Sequence, residues 1–178
     1  MNIVVTGAAG FIGSHLCEAL AALGHDVVGA DRATAPGRPD HLAELRGHPR
    51  FRFVEADLLE CDLAGLVTDA DVVFHLAGIA GVRSSWGDSF DAYLRANVLL
   101  TQRLLEACKG SPRLRKIVYA SSSSVYGGGG GAVSSEDAPT RPISPYGLTK
   151  LAGEHLCRLY WQEFGVPYTA LRYFTVYG

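Results

Sequence analysis

The chain has no long apolar run, no clustered cysteines and almost no net charge. It carries 16 lysines and arginines against 18 aspartates and glutamates, a net charge of -2, so no long-range field draws in nucleic acid or an anionic membrane. The nearest approach to a basic cluster, Arg113, Arg115 and Lys116, reads as the solvated end of a helix running into a strand. No stretch approaches the ~20 apolar residues of a membrane span. The four cysteines, Cys17, Cys61, Cys108 and Cys157, stand far apart and form no CxxC pair, and Asn2 leads directly into a strand pattern instead of a secretory leader. A reduced, cytoplasmic setting follows. No His, Cys, Asp or Glu cluster has metal-ligand spacing. No Gly-Lys-Ser/Thr follows the first glycines, which excludes a P-loop there, and no G-x-S-x-G elbow or partnered histidine frames the serines, which excludes a serine nucleophile.

What is present is an alternation of strands and helices. A length of 178 residues, with 48% hydrophobic content and 21 glycines, suits one compact domain with tight turns. Ile3–Val5 is a continuous apolar run, the mark of a strand buried on both faces. A helical pattern follows through Ile12, Leu16, Leu20 and Leu23, stopped by Gly24. "HDVVGAD", "RFRFVEAD", "DVVFHLAG", "RKIVYASSSSVYG" and "VPYTALRYF" supply further strands. "HLAELRG" is expected to add one or two turns of helix, "DSFDAYLRANVLLTQRLLEACKG" the longest helix, and residues from about Tyr146 to Phe164 another. Strands separated by such crossovers predict an α/β, doubly wound Rossmann-type parallel sheet with helices on both faces. The run Gly127–Gly131 carries no side chains to pack, and a mobile loop is expected there, either a surface insertion or a substrate rim.

"GAAGFIG" places Gly7, Gly10 and Gly13 between the first strand and the first helix. Gly7 allows the tight turn, Gly10 lets backbone approach a pyrophosphate, and Gly13 lets helix and strand pack closely; the helix amides, at Phe11 and Ile12, then face the negative charge. Three glycines alone also fit a packing turn. Asp31 at the end of the second strand adds an acid placed to accept hydrogen bonds from both hydroxyls of an adenosine ribose and to repel a 2′-phosphate, which favours NAD over NADP. Arg32 and Arg38 work against that preference, since either suits such a phosphate. Asp57, beside Leu58, fits either an adenine contact or a turn cap. Leu76, Ala77 and Gly78 follow the fourth strand, where small residues let a cofactor pass. Arg83 suits a phosphate or a substrate anion, or plain solvent exposure. His75, inside a strand, reads as structural.

"SPYGLTK" then sets Tyr146 and Lys150 one helical turn apart. A phenol with a pKa near ~10 is a poor base at neutral pH, and Lys150 together with a positive nicotinamide would favour the phenolate. A lone YxxxK also occurs by chance, but here it follows a nucleotide fold and a serine-rich strand end. Ser122 or Ser123 leaves the fifth strand at its carboxyl edge, where such sheets bind ligands. Tyr126 fits either the substrate or packing. Asn97 fits either a polar partner near Lys150 or an exposed helix face.

In the order and spacing of "TGAAGFIGSHL", "HLAGIAGVRSS", "YASSSSVYG", "SPYGLTKLAGEHL" and "LRYFTVYG", the sequence resembles the extended short-chain dehydrogenase/reductase family, in its nucleotide-sugar epimerase/dehydratase branch. The likeness spans nearly the whole chain. It implies bound NAD, with Ser122, Tyr146 and Lys150 as the catalytic group and Ser123, Arg83 and Thr175 near the substrate. It also implies a UDP-sugar substrate, and a homodimer through the two long helices. In a 4-epimerase, Tyr146 would take the proton of the sugar C4 hydroxyl while hydride passes to NAD, and the 4-keto sugar would turn over before hydride returns. Dehydratases of this branch carry an Asp-Glu pair where Ser123 and Ser124 stand, so the resemblance is to UDP-glucose or UDP-glucuronate 4-epimerases, with a slight lean to the glucuronate type. Thr175 replaces an asparagine common in the family, offering one hydroxyl for an amide. Proteins of this kind continue into a small C-terminal substrate domain, so the chain is expected to be an NAD-binding domain cut before it, keeping cofactor binding better than turnover. Other readings are a dehydratase or cofactor-consuming reductase, and a non-catalytic NAD-binding module.

Overall fold

The computed structural model describes residues 1–32, 40–128 and 135–177. Six parallel strands make one sheet in the order β3-β2-β1-β4-β5-β6, as the strand–helix alternation requires. β1 is Asn2–Thr6, β2 Asp26–Asp31, β3 Phe51–Glu55, β4 Val72–His75, β5 Lys116–Ser122 and β6 Tyr168–Tyr173. Because strand side chains alternate, Ile3 and Val5 point into one core and Val4 into the other. The first core packs α1 (Phe11–Ala22), through Cys17 and Ala21, with Leu42, Leu45 and Phe51. The second packs α2 (Leu63–Val67) with Leu104, Leu105, Cys157 and Tyr160 from the later helices. Among the described residues no helix is long and apolar enough to cross a membrane.

Two helical expectations are corrected. Residues 41–47 form successive turns instead of a helix; the Leu45 and Arg46 amides both donate to the Leu42 carbonyl, at 2.9 and 3.1 Å, and Leu42 and Leu45 are buried, so single turns and packing together hold that segment. The longest helical pattern is split into α3 (Phe90–Tyr93), a π turn over Leu94–Leu99 and α4 (Leu100–Cys108). The wide turn surrounds Asn97, whose backbone carbonyl accepts the Thr101 hydroxyl at 2.7 Å. Thr101 in turn meets His75 Nε2 at 3.0 Å, and Thr6 meets His75 Nδ1 at 2.8 Å. Burial, with the nearby Lys150 charge, pushes the His75 pKa down to about 3, so the imidazole is neutral and serves as a bridge between β1, β4 and α4.

α5 (Pro145–Phe164) is delimited as its sequence dictates. The Ser144 hydroxyl accepts from the Gly147 amide at 3.0 Å, Pro145 occupies the first turn, and Gly165 ends the helix at φ +70°. Of the glycine run, only Gly127 and Gly128 are described. Gly127 is not filler: it sits at φ +81°, and a Cβ there would stand 2.1 Å from the Arg141 carbonyl oxygen. The rest of the run, and Arg38, lie outside the described residues.

The glycine turn between β1 and α1 is held even more closely. A Cβ on Gly13 would lie 2.1 Å from the Gly7 carbonyl oxygen, a backbone atom with no rotamer to yield. Gly13→Ala is therefore expected to destabilise the protein by about 1–3 kcal/mol, the usual range for overpacking, read as an earlier urea midpoint with an unchanged slope. An unshifted midpoint would mean the turn relaxes freely.

Candidate active site

The strand order reverses between β1 and β4, and the site lies at the carboxyl ends of these strands. Gly7, at φ +76°, donates its amide to the Ala30 carbonyl at 2.9 Å, and a Cβ on it would come within 2.6 Å of the Ala77 nitrogen. The turn is thus wedged against the start of the β4–α3 loop. Gly10 differs: its missing Cβ would meet only the Gly7 oxygen, at 3.2 Å. The chain itself tolerates more bulk there than at Gly7 or Gly13. Gly10 also caps α1 without any side-chain acceptor, and no acidic residue stands in the first turn. The helix therefore presents uncapped amides, with their positive end of the dipole, over open space.

Asp31 braces this turn. One carboxylate oxygen accepts from the Ala9 amide at 3.0 Å and the other from the Arg32 amide at 2.8 Å. It stands at the lip of a cleft of about 370 Å³ whose walls include Gly7, Gly10, Arg32, Asp57, Leu58, Leu76, Ala77 and Gly78. Asp57 caps a turn, accepting from the Leu59 amide at 2.9 Å, and it also lines the cleft. A second cleft of about 360 Å³ shares Gly7, Gly10, Leu76 and Gly78 with the first and continues over Phe11, Ile12 and Gly13 to Ser122, Tyr146 and Lys150. Residues from the glycine turn, the ends of β2, β4 and β5, the turn after β3 and the start of α5 thus meet along one continuous trough.

Within it, Lys150 is only 6% exposed. Its ammonium donates to the Ala120 carbonyl at 2.9 Å and lies 5.3 Å from the Tyr119 ring centre, and burial pushes its pKa down to about 8. The Tyr146 phenol is raised above its ordinary value, first by desolvation; the Ser122 hydroxyl pulls it down and Tyr93 pushes it up. The expectation that Lys150 lowers the phenol pKa is thus not met by the chain alone, because the ammonium is turned toward Ala120.

Four of the expected site residues lie outside the lining of the two clefts, and of these Asn97 finds the polar partner near Lys150 that its sequence position allows. Asn97 is 1% exposed and stands behind the trough. Its side chain accepts from the Ile79 amide at 2.7 Å and donates to the Ile79 carbonyl and to the Thr149 hydroxyl, each at 3.0 Å. A Cβ on Gly78 would come 2.7 Å from its Oδ1, so Asn97 sets the loop that forms the wall. Arg83 is exposed in a short 3-10 turn, Arg83–Ser85, outside both clefts. Thr175 is exposed, while its neighbours Phe174 and Val176 line the second cleft. Ser123 begins the 3-10 turn after β5 and is half-buried, away from the lining. Ser121, Ile79, Arg95 and Tyr173 line the clefts unforeseen; for Ser121 the signal was its place in the serine run, one residue before the strand ends. Buried Ser85 was missed too: its hydroxyl accepts from the Tyr146 amide at 3.1 Å. Among the described residues no His, Cys, Asp and Glu side chains gather as a metal site.

The sequence matches the NAD dependent epimerase/dehydratase family over residues 3–178. The chain belongs to that family. An uncharacterized UDP-glucose epimerase of Bacillus subtilis is 51% identical over 183 residues, covering 100% of this chain and 57% of that protein. A UDP-glucose 4-epimerase of Mycolicibacterium smegmatis is 41% identical, also with 100% and 57% covered. The crystal structure of a UDP-glucuronic acid 4-epimerase from Bacillus cereus, in complex with UDP-glucuronic acid and NAD, superimposes with a TM-score of 0.93 at 52% identity, covering 100% of this chain and 58% of that one. The chain thus spans little more than half the length of these members of the epimerase/dehydratase family, and the match extends along the whole of it.

Proposed function

We propose that residues 1–178 are the NAD-binding domain of a nucleotide-sugar 4-epimerase acting on UDP-glucuronate or UDP-glucose. The observation that carries this is the single trough in which the uncapped α1 terminus and Asp31 at one end join Ser122, Tyr146 and Lys150 at the other. The residues present fit the cofactor. The first-turn amides at Phe11 and Ile12 would hold its pyrophosphate, Asp31 its adenosine ribose, and Asp57 and Leu58 the adenine side. Leu76, Ala77 and Gly78 would border its middle, with Tyr146 and Lys150 at the nicotinamide end. Asp31 favours NAD over NADP because a carboxylate repels a 2′-phosphate. NAD, when bound, supplies reversible oxidation at the sugar C4.

The chain's own groups do the rest. The Tyr146 phenolate takes the C4 hydroxyl proton and later returns it, while Ser122 hydrogen-bonds the same oxygen and holds it in place. Lys150 keeps a positive charge beside this pair. The names of the similar enzymes favour the 4-epimerase reading over a dehydratase, and the serines at 123 and 124 supply no acid for elimination. Thr175, between two residues that line the second cleft, stands where a sugar ring would enter, and exposed Arg83 would meet its carboxylate only from outside the clefts. Exposed Leu94 and Leu99, with Leu148, Leu159 and Trp161 on α5, fit a homodimer formed through the two long helical stretches. The setting is the cytoplasm.

The full-length protein incubated with UDP-glucuronate or UDP-glucose is expected to invert C4 without net change in reduced cofactor. Stoichiometric cofactor consumption would instead indicate a reductase, loss of water a dehydratase, and bound NAD without turnover a non-catalytic module.

A further inference from the structure

Consecutive residues at the end of β5 are fastened to α5, each by different chemistry. The Tyr119 hydroxyl lies under Gly153, where a Cβ would stand 2.1 Å away. The Ala120 carbonyl accepts from Lys150 at 2.9 Å. The Ser121 hydroxyl donates to a Glu154 carboxylate oxygen. The next residue is Ser122, which faces the Tyr146 phenol. Glu154 stands one turn beyond Lys150 on α5 and also grips β6: Arg172 Nε donates to Oε1 at 2.9 Å and Nη2 to Oε2 at 2.8 Å. The pair is 22% and 11% exposed at Arg172 and Glu154, so solvent competes little for this two-point bond. Arg172 is itself fixed, donating to the Glu136 carbonyl at 3.1 Å and lying 4.7 Å from the Tyr126 ring centre.

We infer that Glu154 is a positioning residue: by binding Ser121 and Arg172 at once, it fixes where β5 ends and so holds the Ser122 hydroxyl against Tyr146. This rests on the epimerase reading given above. The carboxylate lies two helical turns from Tyr146 along α5 and its charge is matched by Arg172, so its effect is on placement and not on the phenol's ionisation. Without it, Ser121 loses its acceptor and the guanidinium its partner, and the strand end shifts while the nucleotide trough, built from β1, β2 and β4, stays.

The test is steady-state kinetics of the full-length protein beside NAD affinity and melting. Glu154→Ala is expected to lower kcat about 10–100-fold, the cost of displacing a reacting group by part of an ångström to an ångström. KM and NAD affinity should stay within about threefold, the signature of an interaction that matters after binding. Glu154→Gln keeps an oxygen for Ser121 and for one Arg172 nitrogen, and is expected to regain kcat to within about threefold of the parent with an unshifted pH profile. A parent-like kcat in Glu154→Ala overturns the inference. So does a loss of kcat matched by equal losses of NAD affinity and folded fraction, or a Glu154→Gln variant as slow as Glu154→Ala. Absence of C4 inversion in the parent protein overturns instead the reading of function on which the inference stands.

Discussion

Tyr146→Phe is expected to reduce C4 inversion by about 10²–10⁴-fold, the range a positioned acid–base group supplies, while leaving NAD affinity and melting close to those of the parent. The fold does not depend on the phenol oxygen. The α5 amide of this residue is held by Ser85 through the backbone, and the first turn is capped by Ser144, contacts that phenylalanine keeps. The ring packs edge-on to Tyr93, with 6.3 Å between centres, and that contact also survives. Only the group that faces Ser122 is lost. The active form is the phenolate and burial raises the phenol pKa. The sign is therefore fixed: kcat/KM of the parent should rise with pH as the phenol ionises, and the variant's residual rate should lack that limb. A variant that keeps more than about a tenth of the parent rate would exclude Tyr146 as the proton acceptor.

The elements set by short-range rules were readable from the residues. β1 is an unbroken apolar run because it lies mid-sheet with a core on each face. The glycine turn was readable because Gly7 and Gly13 each sit where a single methyl would strike backbone. α5 was readable at both ends because Ser144, Pro145 and Gly165 are local stop and start signals. What escaped depends on neighbours distant in sequence. The π turn exists because Thr101, four residues on, takes the Asn97 carbonyl while also meeting His75 of β4; no periodicity encodes that. Asn97 therefore turns inward to Ile79 and Thr149, where a helical wheel leaves its direction open. The segment "HLAELRG" reads as helical in the sequence, yet burial of Leu42 and Leu45 with Phe51 and Val27 is satisfied by turns. Glu154 has its partners on β5 and β6, and nothing local in α5 points to Ser121 or Arg172.

Lys150→Met carries the other large effect, and it runs in opposite directions for stability and activity. The side chain is buried, its ammonium has one hydrogen-bond partner, the Ala120 carbonyl, and burial lowers its pKa from 10.5 to about 8. A base whose pKa is depressed on folding binds its proton less tightly in the native state. Between about 8 and 10.5 the unfolded chain therefore holds more protons, and stability rises with pH across that window. Below it the full cost of a buried charge is present, on the order of 3 kcal/mol at about 1.4 kcal/mol per pKa unit. Methionine removes the charge and keeps the apolar stem, at the loss of one hydrogen bond worth about 1 kcal/mol. The net gain near neutral pH is then about 1–2 kcal/mol, a rise of roughly 3–6 °C in melting temperature for a domain of this size. The gain should fade as pH climbs through the window, since the parent lysine is then neutral in both states. C4 inversion by the same variant should fall at least about 100-fold, because the cleft shared with Ser122 and Tyr146 loses its buried ammonium, the charge expected to stabilise the phenolate once cofactor and substrate are in place. Melting curves of the cofactor-free protein near pH 7 and pH 10.5, beside turnover at neutral pH, check both halves. A lower melting temperature at neutral pH would show that the ammonium is a net stabiliser, and parent-like turnover would remove Lys150 from the reacting group. The fold bears a buried cation that its packing does not need, at the one place where the proposed chemistry does.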